Sequence, residues 1–212
     1  MFFPYKSDVY VDMAPYANLC FAGAMILVYT LSRLVAPETF DFMVLSRENA
    51  WRGFCFVYFV HPGFFHLFGN VVFLLVFGNA INCRLGHKRY IIAFFSLGII
   101  SSVFHLWVDG DPAIGASGAV SGLVGMFLFL FPRSTVRCLY IFGPFIERIS
   151  APAALVIVGW FLWDLLGFFF DDARIAYGAH LAGNVAGLIA GFLVAKFGWM
   201  TFWMDDQPLL DV

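Results

Sequence analysis

Six stretches of this chain are each long and apolar enough to cross a lipid bilayer, and this limits the possible fold more than any motif does. They run over Tyr16–Ala36, Phe64–Asn82, Tyr90–Val108, Gly115–Phe131, Ala151–Phe170 and Ala176–Phe197. A spanning helix needs ~20 apolar residues, so six spans account for roughly 120 positions and leave little beyond connectors. Composition agrees: 62% of the 212 residues are hydrophobic and 12% charged, whereas a soluble domain is about half apolar and a quarter charged. A disordered chain, a nucleic-acid binder and an ordinary cytosolic enzyme are thereby excluded. The expectation is one all-α, polytopic membrane domain spanning residues 1–212, with no soluble domain at either end.

Six crossings put both termini on one side. With the termini inside, the inner segments hold Lys6, Arg84, Lys88, Arg89, Arg133, Arg137, Arg148 and Lys196, and the outer ones hold Arg33, Arg47, Arg52 and Arg174. The excess of positive charge marks the cytoplasmic side, and compactness with this asymmetry points to a bacterial plasma (inner) membrane. Met1–Tyr16 carries Asp8 and Asp12 and no apolar core, so it reads as an uncleaved start and not a signal peptide. The first loop, Pro37–Gly63, mixes Trp51, Phe54, Phe56, Tyr58 and Phe59 with Arg47, Glu48 and Arg52, which suits a segment half-submerged in the interface. Arg133–Ile149 reads the same way, with a turn at Gly143–Pro144. Cys20, Cys55, Cys83 and Cys138 are scattered without metal-ligand spacing, so no metal or other cofactor is expected. A net charge of −2 implies no acidic partner.

Polar side chains inside spans are costly and therefore informative. They are His66 and Asn70 in the second span, Ser117 and Ser121 in the fourth, and His180 and Asn184 in the sixth. These three spans run from outside to inside and carry their polar pairs near the start, so the six residues share one depth in the outer half of the bilayer. Gly183, Gly187 and Gly191 form a small-residue ridge in the sixth span, and Gly115, Gly118, Gly122 and Gly125 form another in the fourth. Two such ridges permit close backbone approach and bring Ser117 opposite His180. A serine hydroxyl needs a base to become a nucleophile, and imidazole is suited to that near neutrality. His66 and Asn70, four residues apart on one helix face, are placed to donate to an oxyanion. Asp164 reads as lying nearer the inner half of the fifth span than the site, so the expectation is a Ser–His dyad without an acid. His87 and His105, near span ends, read as solvated.

These residues resemble the rhomboid family of intramembrane serine proteases, over nearly all of Trp51–Gly191. Gly115-Ala116-Ser117-Gly118 is similar to its GxSG box, and Ala179-His180 with Gly183 and Gly187 to its AHxxGxxxG helix. His61, His66 and Asn70 match HxxxxHxxxN, and Trp51-Arg52 the WR pair of the first loop. The resemblance implies a compact six-helix bundle that cleaves transmembrane protein substrates within the lipid bilayer. In that picture Ser117 is the nucleophile, His180 the base, and His66 with Asn70 the oxyanion donors. His61, Trp51, Arg52 and the glycines 115, 118, 183 and 187 support the site. Substrate would enter beside Trp160, Phe161 and the Asp171–Gly178 loop. One departure is Ser121, at a position where many members carry an aromatic that stacks on the catalytic histidine; the resemblance then implies that Ser121 or Asn184 holds the His180 ring by hydrogen bonding instead.

Three rivals are weighed. An inactive rhomboid-like factor that binds membrane proteins would usually lack the serine or histidine, and both are here. A haem or metal protein would want closer ligand spacing than His61 and His66 offer. A transporter would often show repeated halves, and none is visible.

Overall fold

The computed structural model describes residues 2–143, 145–171 and 175–200. Strand β1 (Phe2–Ser7) precedes helix α1 (Tyr16–Ser32). The first loop contains a 3-10 turn (Pro37–Met43), the short helix α2 (Ala50–Phe56) and a second 3-10 turn (Val57–Phe59). Then come α3 (Phe64–Leu85), α4 (His87–Val108) and α5 (Ser117–Leu130). A hairpin of β2 (Thr135–Phe142) and β3 (Phe145–Pro152) leads to α6 (Ala153–Phe170) and α7 (Tyr177–Lys196). Four helices, α3, α4, α6 and α7, are long and apolar enough to cross a membrane, while α1 and α5 are shorter apolar helices. Leu155, Trp163, Leu166 and Phe170 on α6 and Ile92 and Ile100 on α4 are exposed, as a lipid-facing surface requires. The chain is an integral membrane protein.

Helix α1 ends at Ser32, and Ala36, before Pro37, is extended (φ −59°, ψ 135°). The expectation of an all-α chain is corrected. Arg133–Ile149 contributes most of a three-stranded antiparallel sheet in the order β1-β2-β3. The reason lies in Thr-Val-Arg-Cys-Leu-Tyr-Ile-Phe, rich in β-branched and aromatic residues and alternating in burial, with Val136 and Cys138 fully buried and Arg137 between them exposed. Gly143 takes φ +58° at the hairpin turn; Pro144 lies outside the described residues.

Helix α5 is the buried centre, packed most extensively on α7 and then on α4. Here the glycine ridges act as expected. A Cβ at Gly183 would collide with the Gly118 carbonyl, one at Gly187 with the Gly122 carbonyl, and one at Gly125 with the Asn184 carbonyl. The two backbones touch, which only glycine permits at those points.

A buried amide joins the other helices. The middle of α3 widens into a π turn (Leu74–Gly78), and such a turn frees a carbonyl. Asn18 Nδ2 of α1 donates to that Leu74 carbonyl (2.8 Å) and to Asn79 Oδ1 (2.7 Å). Its backbone N–H donates to Asn82 Oδ1 (3.1 Å), and Tyr90 of α4 donates to Asn18 Oδ1. His87, expected to be solvated, instead accepts from Asn82 Nδ2 (3.0 Å) and packs on Tyr16.

Candidate active site

Ser117 opens α5 and owes its place to the loop before it. Leu45 and Ala113 exchange backbone hydrogen bonds (3.0 and 2.9 Å), and Gly115 N–H donates to Val57 O (3.0 Å), tying this loop to the first. Gly115 has φ +118°, and a Cβ there would sit 2.7 Å from His66 Cε1. The glycine both turns the chain and makes room for the imidazole. Val120 N–H donates to Ala116 O (2.9 Å), so the amides of Ser117, Gly118 and Ala119 lie ahead of the helical ladder. Such free amides at a helix start favour negative charge.

His180 stands one turn into α7. Asn184 Nδ2 donates to the His180 carbonyl (3.1 Å) and Ser101 Oγ of α4 to the Ala179 carbonyl (2.7 Å). The imidazole itself meets an acid: Nδ1 lies 3.3 Å from Asp164 Oδ1, and both side chains are less than one-fifth exposed. The edge of the Tyr177 ring also approaches His180, with centroids 6.4 Å apart. Gly167 of α6 leaves space for the Tyr177 ring, and Tyr177 Oη donates to Asp171 Oδ2 (2.7 Å).

On α3, Asn70 Nδ2 donates to the His66 carbonyl (2.8 Å). One of its two amide protons is used and the other remains. Behind His66 lies buried His61, with ring centroids 5.5 Å apart and Nδ1 3.4 Å from Phe59 O. Burial, reinforced by the neighbouring His66, pushes His61 down to about 4, so it is neutral at ordinary pH.

A cavity of ≈ 250 Å³ joins these groups. Its polar wall is made by Ser117, Ser121, His180, Asn184, His66 and Asn70, and its apolar wall by Phe65 and Phe73 of α3 with Trp160, Phe161 and Trp163 of α6. The Trp160 and Phe73 rings meet with centroids 4.2 Å apart, between α6 and α3. Among the described residues no hydrogen bond joins Ser117 Oγ to His180. A nucleophile–base contact often tightens only when substrate is bound. No group of three His, Cys, Asp or Glu side chains capable of holding a metal ion occurs among the described residues.

The structure therefore brings together Ser117, His180, His66, Asn70, Trp160 and Phe161, with His61 and the glycines 115, 118 and 183 behind them and Gly187 two turns below, against Gly122. It does not bring Trp51 or Arg52 to the cavity. Trp51 is exposed on α2 and the Arg52 guanidinium lies over its ring at 4.8 Å. The expectation that no acid reaches His180 is overturned by Asp164. That residue is in the half of α6 farther from β3, and α7 begins at that same end. Neither Ser121 nor Asn184 holds the ring. His105 is buried, its nitrogens facing Asp109 Oδ2 and Asp111 O, both at 2.9 Å. Ser101 and Tyr177 were not legible as site residues, since a lone serine and a tyrosine carry no motif. Asp172 and Arg174 of the expected entry loop lie outside the described residues.

The Rhomboid domain family model matches residues 47–197. The chain is similar to the mitochondrial Rhomboid protein 1 of Saccharomyces cerevisiae, 28% identical over 192 residues, covering 84% of this chain and 54% of that protein. It is also similar to the Rhomboid protease GlpG of Salmonella newport, 26% identical over 178 residues, covering 80% of this chain and 60% of that protein. The chain thus spans between half and two-thirds of the length of these relatives.

Proposed function

Since this chain belongs to the rhomboid family, we propose that it is an intramembrane serine endopeptidase acting on transmembrane segments of other proteins. One observation carries the reading: a serine, a histidine and a His–Asn donor pair from three helices line one cavity with an aromatic wall. In this reading Ser117 Oγ attacks the scissile carbonyl carbon and its proton passes to His180. The carbonyl electron pair becomes an oxyanion, met by the Ser117 amide, His66 and Asn70. His180 then protonates the leaving amine as the C–N bond breaks, and water repeats the cycle on the acyl-enzyme.

The finer topology belongs to the same proposal. Six helices cross, α5 being short because protein surrounds it. The first loop lies half-submerged, both termini face the cytoplasm of a bacterial inner membrane, and the site opens in the outer half of the bilayer. Trp160 and Phe161 form the gate through which substrate enters between α3 and α6.

The alternative is a factor of the same fold that holds membrane clients without cutting them; the missing Ser117–His180 hydrogen bond is what favours it. Purified protein incubated with a fluorophosphonate probe and a generic transmembrane substrate distinguishes the two. Labelling and cleavage by wild type, both abolished in Ser117→Ala, support the protease. Labelling that persists in Ser117→Ala, or a wild type that binds substrate without cutting it, refutes it.

A further inference from the structure

We propose that Asp164 is a positioning residue for His180, acting through the imidazole as a third member of the catalytic group; this rests on the protease reading above. A carboxylate within a membrane helix is expensive unless it is paired. Asp164 has its partner in His180 Nδ1, 3.3 Å away, on the wall of the cavity that holds Ser117. A carboxylate only accepts, so Nδ1 must carry the proton and Nε2 is left with its lone pair. That tautomer is the one able to take the serine proton.

When Ser117 Oγ bonds to the carbonyl carbon, its proton moves to Nε2. The imidazolium keeps its Nδ1 proton and directs it at the Asp164 carboxylate. The same proton on Nε2 leaves with the amine as the C–N bond breaks. Asp164 touches neither substrate nor reacting atoms; it fixes which nitrogen is the base and where the ring points. The position four residues after the nucleophile is Ser121, too small to brace an imidazole by stacking. Support comes from the other side, through Asp164 of α6 and the Tyr177 ring, itself seated at Gly167.

The test uses the full chain in detergent and in liposomes. Asp164→Asn offers an amide N–H to Nδ1 and favours the wrong tautomer; we expect kcat to fall about 10- to 100-fold with KM within about twofold, less than for a buried triad acid because the contact is long. Asp164→Glu keeps a carboxylate and should recover most of the loss. An Asn variant with wild-type kcat, or a loss that Glu does not relieve at equal thermal stability, overturns the proposal. A second measurement does not depend on turnover: nitrogen NMR of His180 should report the Nδ1-protonated tautomer in wild type and its loss in Asp164→Ala. An unchanged tautomer overturns the proposal as well. A wild type that neither labels nor cleaves defeats the protease reading, and the tautomer measurement still decides the role of Asp164.

Discussion

Gly187 of α7 rests directly against the carbonyl of Gly122 in α5, with no room for a methyl group between them. The contact lies two helical turns below His180 and fixes how far apart the two helices carrying the proposed nucleophile and base can stand. Gly187→Ala should therefore cost at least about 2 kcal/mol through overpacking and lower turnover by parting Ser117 from His180. Gly23, on α1, has open space around its Cα, so Gly23→Ala serves as the control and should be neutral or stabilising. Thermal unfolding of both variants in detergent checks the contrast; equal melting temperatures would show that the ridge is not a spacing device.

Ser101 offers a finer lever. Its hydroxyl donates to the Ala179 carbonyl (2.7 Å) next to His180, and it sits where Gly118 leaves space. Ser101→Ala removes one buried hydrogen bond at no cost in packing, so a loss of about 1 kcal/mol is expected. Because the bond anchors the residue before the base, kcat should fall several-fold while KM holds. A variant that loses stability but keeps kcat would make Ser101 a purely structural strap.

His61 predicts a pH dependence. Its value falls from 6.5 to about 4 on folding, chiefly by burial. The unfolded chain thus binds a proton that the folded chain refuses between those two values. The stabilisation is fully present above pH 6.5 and is lost as pH falls toward 4, by up to about 3 kcal/mol. Unfolding followed between pH 7 and pH 4 should show this slope, and His61→Gln should flatten it. A slope unchanged by the substitution would assign the acid sensitivity to other groups.

The His66–Asn70 pair and the two glycine stripes were legible because their residues stand three or four apart along a helix, and the Ser117–His180 cavity because those stripes bring the two helices that carry Ser117 and His180 together. Asp164 was misjudged for a physical reason: its depth depends on where α6 begins and which way it runs, and the preceding hairpin sets that start at Ala153. The hairpin itself was legible in the alternation around Val136 and Cys138 but was masked by its aromatic, basic composition, which also suits an interface. The Asn18 clamp could not be foreseen, since the π turn that receives it depends on packing against α1 and α5. Trp51 and Arg52 matched a motif, yet a pair of neighbours on a short loop helix says nothing about which way that helix faces.

Gly115 separates backbone strain from the seating of the imidazole. An alanine there must hold φ +118° and place its Cβ 2.7 Å from His66 Cε1. The first effect costs about 1–3 kcal/mol of stability wherever it occurs. The second pushes the His66 ring out of its place on the cavity wall. Gly115→Ala should therefore lower turnover by about 10²-fold, the usual order for losing one oxyanion donor. Gly63, extended and with open space beside it, should tolerate alanine with no change in turnover. The decisive comparison is a double-mutant cycle. If the loss acts through the ring, Gly115→Ala should cost far less turnover in a His66→Ala background than in wild type, while its cost in melting temperature stays the same. Equal turnover losses in the two backgrounds would mean that strain in the loop, and not the His66 ring, connects Gly115 to the chemistry.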